Sequence, residues 1–203
     1  MRAELAYFPG SPFARMGRVL IAEWALAVTP VEWRFPPPVE LFALNPLGQV
    51  PALLMDDEAV FPTFLILERL WELAGWPDEG YRPGAERQML LTTLQAGDAL
   101  AAAFYQDWSG LRPVARNHIG FDPAARNLER FGRTLDWLDA RASQGLLRPG
   151  VTLPGVAAAC LLLWSKARGG PYWAGRPYLW SIVRALAGRD SFLTTVPQPW
   201  TPG

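Results

Sequence analysis

The chain has 203 residues, half of them hydrophobic, and balances 19 basic against 19 acidic side chains. This composition excludes a disordered chain, and the neutral balance argues against a nucleic-acid or anionic-membrane partner. One cysteine, Cys160, excludes an internal disulfide, and one histidine, His118, in an Arg- and Asn-flanked loop, cannot build a metal site.

The elements follow in chain order. "AELAYF" (3–8) is short and apolar, is closed by "PGSP", and reads as a buried strand. "FARMGRVLIAEWAL" (13–26) carries apolar residues at helical spacing, and "VEWRF" (31–35) reads as a second strand, stopped by three prolines. A strand, a helix and a strand in so short a stretch predict a βαβ unit with parallel strands. After an irregular stretch, "PALLM" (51–55), a polar turn of Asp56 and Asp57, and "EAV" (58–60) form a hairpin pattern. "FLILERLWELAG" (64–75) is an amphipathic helix with Gly75 at its C-terminal end.

"WPDEGYRPG" (76–84) is rich in Pro, Gly and charge and marks a linker. Beyond it the pattern is helical, over 85–108, 123–143, 154–168 and 175–188, before a proline-rich tail. The expected organisation is a domain at 1–75, a linker at 76–84 and an all-α domain at 85–203. The charge is uneven in the same sense, with 5 basic and 9 acidic groups in residues 1–75. Cys160, inside "VAAACLLLW", reads as a buried small hydrophobe, and that run is too short to cross a bilayer. Pro9, Gly10, Pro12 and nearby arginines interrupt any signal-peptide core, so a cytoplasmic location is expected.

Three stretches carry chemical interest. In "FPGSPFAR" (8–15), Ser11 suits a helix N-cap and Pro12 the first helical position. The same hydroxyl, at the positive end of a helix, can donate to a thiolate and lower a thiol's pKa. In "NPLGQVPALLMDD" (45–57), Pro51 opens a strand, and a cis Val50–Pro51 bond would turn the Val50 backbone outward. In "VFPTFLILERL" (60–70), Pro62 and Thr63 begin a helix whose free N–H groups can hold a carboxylate, or whose Thr63 satisfies its own helix end.

Taken together, "SPFARMGRV", "NPLGQVPAL", the hairpin "LLMDDEAV" and the following helix resemble the glutathione transferase superfamily. "VTLPGVAAACLLLW" (151–164) is similar to that family's buried, Thr-capped helix, and "AGRPYLWSIVRALAGRDSFLTTVP" (174–197) to its C-terminal pattern. "SPFARMGR" most resembles bacterial members with a serine at the active position. The resemblance implies an α/β thioredoxin-like N-terminal domain (βαβ-ββα) followed by an all-α helical bundle. It implies Ser11 as the catalytic hydroxyl, and Phe13, Gln49, Val50, Pro51, Pro62 and Thr63 as the glutathione-binding set. Val50 would pair its backbone with the cysteinyl unit, and Thr63 would hold the γ-glutamyl carboxylate. Phe104, Tyr105 and Trp108 would line the pocket for a hydrophobic co-substrate, or else be ordinary helix core or dimer surface.

The implied function is a detoxifying transferase that uses the glutathione thiolate on a small electrophile, as a homodimer, with no metal, membrane or nucleic-acid partner. Two departures bear on it. Pro62 stands where the family has an acidic residue for the ligand's ammonium group, and Gly155 stands where its capping box has Asp. Pro62 keeps two alternatives open: a non-catalytic binding or assembly module of the same fold, and a transferase using another thiol.

Overall fold

A computed structural model describes residues 2–34, 36–77, 81–82, 84–110 and 122–198. His118, Phe35 and the end of the proline-rich tail lie outside them. A four-stranded sheet in the order β2-β1-β3-β4 is built from β1 (Ala3–Tyr7), β2 (Thr29–Glu32), β3 (Ala52–Met55) and β4 (Glu58–Val60). β1 and β2 are parallel, joined through α1 (Pro12–Glu23), as the βαβ pattern predicts. β3 runs antiparallel to both β1 and β4, with Ala6 opposite Ala52 and Leu53 opposite Val60. Helix α3 (Thr63–Leu73) closes this mixed unit.

In the first unit, two elements differ from the sequence expectation. β2 begins at Thr29, because register with β1 decides it: Tyr7, the last residue of β1, pairs with Glu32. Past Glu32 the Trp33 amide still reaches β1, donating to the Tyr7 carbonyl at 2.8 Å. The stretch read as irregular contains a short helix, α2 (Val39–Leu44), started by Pro38 and anchored by Leu41 alone. One buried side chain in six residues leaves no periodicity to read.

Among the described residues, α4 (Ala85–Trp108), α5 (Pro123–Ser143), α6 (Leu153–Ala167), α7 (Pro177–Ala187) and α8 (Asp190–Leu193) follow. The last, a single turn, was not apparent in the pattern. One continuous apolar core runs from Leu5, Val19 and Leu20 through Ile66, Leu70 and Leu90 to Leu161 and Val183. α1 sits at its centre, packed on β1, α3, α6 and α8. Gly17 permits this: a Cβ there would stand 3.0 Å from the Leu5 side chain.

Two polar contacts fasten α1 to α8. The Arg15 guanidinium is buried, donates to the Phe192 carbonyl (2.8 Å) and Thr195 Oγ1 (3.3 Å), and stacks on the Phe192 ring. At the other end, Glu23 accepts two bonds from Arg189, at 2.7 and 2.6 Å, and a third from the Ser191 hydroxyl. The Arg189 and Ser191 donors hold the Glu23 carboxyl below the usual carboxylate range, against the opposing effect of burial. A depressed folded-state pKa stabilises the fold above the unfolded value, and that stability is lost as pH falls through the folded value. Glu23→Gln should therefore lower stability by about 1 kcal/mol at neutral pH. In denaturant titrations across pH, the deficit should shrink once the solution falls below the carboxylate range.

α6 is buried along nearly its whole length. Its N-terminus is capped by Thr152, whose Oγ1 accepts from the Gly155 amide at 3.0 Å. A Cβ on Gly155 would lie 2.7 Å from that oxygen and 3.2 Å from the Gly150 carbonyl, so the missing Asp reflects a close approach at this turn. Thr152→Ala strands the buried Gly155 N–H and should cost about 1–2 kcal/mol. The check is a lower denaturation midpoint with an unchanged m-value, largely restored by Thr152→Ser.

Candidate functional site

Strand register brings the three stretches to one edge of the sheet. β1 ends at Tyr7, just before Ser11; β3 begins at Ala52, just after Val50 and Pro51; β4 ends at Val60, just before Thr63. Since β3 is antiparallel to its neighbours, the end of β1, the start of β3 and the end of β4 share an edge. Three adjacent strands set the outer two about 10 Å apart at that edge.

Ser11 is the N-cap of α1, with Pro12 at the first helical position. Its Oγ accepts from the Ala14 amide at 3.2 Å, and its own amide donates to the Phe8 carbonyl at 3.0 Å. The hydroxyl proton makes no hydrogen bond among the described residues. Phe13, half-buried, turns its ring towards α4, where a Cβ on Gly97 would lie 3.1 Å from it.

Asn45 shapes the second stretch, although it was not singled out from the sequence. It is buried at the end of α2, donates Nδ2–H to the Gln49 carbonyl (2.8 Å) and accepts from the Leu47 amide (3.0 Å). Gly48 follows with φ +61, and a Cβ there would meet the Phe42 ring at 2.6 Å. The signal was the Asn-Pro turn pair. Gln49 is exposed, Val50 half-buried and Pro51 buried. The Val50–Pro51 bond is cis, as is Phe61–Pro62. Val50 forms no backbone hydrogen bond among the described residues.

At α3 the reading that Thr63 caps its own helix does not hold. Pro62 is the N-cap and no side chain caps the helix. The Leu65 and Ile66 amides reach the Pro62 carbonyl. The Thr63 and Phe64 amides and the Thr63 hydroxyl are unpaired among the described residues.

The aromatic residues of α4 form a chain of edge contacts, with Phe104 and Tyr105 at 6.0 Å and Tyr105 and Trp108 at 6.5 Å. Phe104 is half-buried, while Tyr105 and Trp108 are exposed. Phe104 also meets the Trp164 ring at 5.1 Å, and Trp164 Nε1 donates to the Gly10 carbonyl at 2.9 Å. Trp164 thus ties the aromatic cluster to the turn carrying Ser11, a contact no local pattern encodes.

Comparison with known proteins bears on the fold that carries this edge. Residues 5–78 match the family model described as the glutathione S-transferase N-terminal domain. The chain carries a glutathione S-transferase N-terminal domain. No curated protein sequence is significantly similar. A glutathione S-transferase from Methylobacillus flagellatus, solved with glutathione bound, superposes with TM-score 0.80 at 22% identity, covering 97% of this chain and 100% of that one. One from Methylobacterium radiotolerans, in complex with glutathione sulfonate, gives TM-score 0.76 at 22% identity, covering 100% and 98%. A glutathione transferase homologue from Sulfitobacter, with bound glutathione, gives 0.73 at 23%, covering 95% and 96%. The fold is the glutathione S-transferase fold, thioredoxin-like in its first unit and helical in its second.

Within that fold two other candidate groups are accounted for structurally. Tyr7, four residues before Ser11, donates its hydroxyl to Glu32 at 3.2 Å beneath the Arg18 guanidinium, and burial raises its pKa. Cys160 is fully buried, and burial pushes its thiol up to about 12 despite the opposing pull of Arg15. Among the described residues no cluster of His, Cys, Asp or Glu could hold a metal ion, and no helix is long and apolar enough to cross a membrane. A disulfide reagent such as dithiobis(nitrobenzoate) should release no chromophore from the native protein and one equivalent after denaturation. Rapid native labelling would show that Cys160 is accessible.

Proposed function

We propose that this chain is a cytoplasmic glutathione transferase that joins the glutathione thiolate to a small hydrophobic electrophile. One observation carries the reading: a free hydroxyl proton, an unpaired backbone and an uncapped helix N-terminus stand on adjacent strands at one sheet edge. The outer two lie about 10 Å apart, which an extended tripeptide spans. In this reading Ser11 donates to the sulfur, Val50 pairs with the cysteinyl unit ahead of Pro51, and the Thr63 end of α3 takes the γ-glutamyl carboxylate. Phe13 and Gln49 flank these groups. The site supplies a lowered thiol pKa and proximity to an electrophile resting on Phe104, Tyr105 and Trp108. The glutathione-bound neighbours support the ligand. The same reading makes the chain a homodimer.

Pro62 supports a second reading. It offers no side-chain acceptor at the α3 cap, so a ligand's ammonium group finds no partner there, and a thiol without that group would lose nothing. A non-catalytic module on the same scaffold is the limiting case.

Calorimetric titration with glutathione should show binding, and turnover of a chlorodinitrobenzene should follow. Ser11→Ala should cut kcat/KM by about tenfold to a hundredfold while leaving glutathione affinity within a few-fold. Absence of binding at millimolar glutathione rejects the first reading, and thermal shifts with shorter thiols then decide whether the second stands.

A further inference from the structure

Arg168, at the C-terminal end of α6, has surroundings that the fold alone does not explain. Its guanidinium lies 4.1 Å from the Trp164 ring centroid and 5.2 Å from that of Phe104. It is half-buried, and burial lowers its pKa while Tyr105 is the group that opposes this. Arginine carries five N–H donors in a planar fork. One of them reaches the Trp164 carbonyl at 3.5 Å, and among the described residues the group meets no carboxylate. Of the other buried or partly buried arginines, Arg15 is answered by Thr195 and a carbonyl, Arg148 by Glu86 and Arg176 by Asp136, while Arg18 and Arg141 each stack on a single ring, of Tyr7 and Trp137. Arg168 instead rests on two rings of the aromatic cluster, and Trp164 pins that cluster to Gly10, next to Ser11.

We propose that Arg168 makes this an anion-recognising site, and that the preferred electrophile is an aromatic compound bearing a carboxylate or sulfonate. A planar ring would stack on Phe104 and Tyr105 while its acid group takes the unused donors of the fork, a bidentate geometry that a guanidinium matches. A cation held against ring faces with little competing water binds an anion more strongly than a surface arginine does. The electrophile role rests on the transferase reading; anion recognition at Arg168 does not.

The test uses two compounds that differ by one acid group, a chlorodinitrobenzoate and a chlorodinitrobenzene. In the reaction the thiolate sulfur forms a bond to the ring carbon, chloride leaves with the electron pair of the broken C–Cl bond, and the thiol proton passes to solvent. Binding of both compounds is first measured by calorimetry without glutathione, where no transfer occurs. The benzoate should bind about tenfold tighter, and Arg168→Gln should remove most of that preference. Arg168→Lys, which keeps the charge and loses the fork, should restore part of it and shows that the pocket remains folded. With glutathione present, the ratio of the two kcat/KM values should follow the same order. Equal binding of the two compounds by the wild type, or an unchanged ratio in Arg168→Gln, overturns the proposal. An Arg168-dependent preference in a protein that fails to bind glutathione would uphold anion recognition and reject the transferase reading alone.

Discussion

The packing of α1 on both sides is the constraint on which the rest of the structure depends. One face lies on β1, so close that a Cβ at Gly17 would crowd the Leu5 side chain, and the other lies on α6 and α8. A helix so placed is buried along most of its length, and two of its charged residues, Arg15 and Glu23, must find partners on the far unit. Arg15 and Glu23 both find them on or beside α8. The position of Ser11 is a product of this arrangement, because the N-terminus of α1 cannot shift without disturbing both layers. The Trp164 bond to Gly10 fixes the same turn from the helical side.

Much of this was legible in the sequence because the signals were local. Ser11 followed by Pro12 is a helix start by chemistry, and the structure places the cap where that pair predicts it. The hairpin turn at Asp56 and Asp57 and the long helices were readable from alternation and period. α2 and α8 escaped because each is too short to repeat: α2 has one buried anchor, and α8 is a single turn held by contacts made to α1.

The site was legible as a set of stretches and illegible as a place. Register alone brings residues 11, 50 and 63 to one edge, and register depends on strands whose pairing no single stretch reveals. Trp164 and Arg168 lie more than 150 residues from Gly10, in and just after a helix whose pattern says only that it is buried. Asn45 shows the intermediate case. An Asn-Pro pair is a turn signal, though the stretch reads only as irregular, and the service of Asn45 to the Gln49 carbonyl needed the folded loop. Thr63 shows the reverse, since a residue type suited to capping stands one position inside a helix that Pro62 begins.

The Ser11 hydroxyl has a consequence beyond starting a helix. Because its oxygen already accepts from Ala14, one lone pair is committed and the rotor is confined to the directions that keep that bond. The proton is thereby turned away from the helix end, and less orientational freedom remains to be surrendered on contact with a guest. In the proposed transferase reading, capping and donation would be two uses of a single oxygen, the first preparing the second.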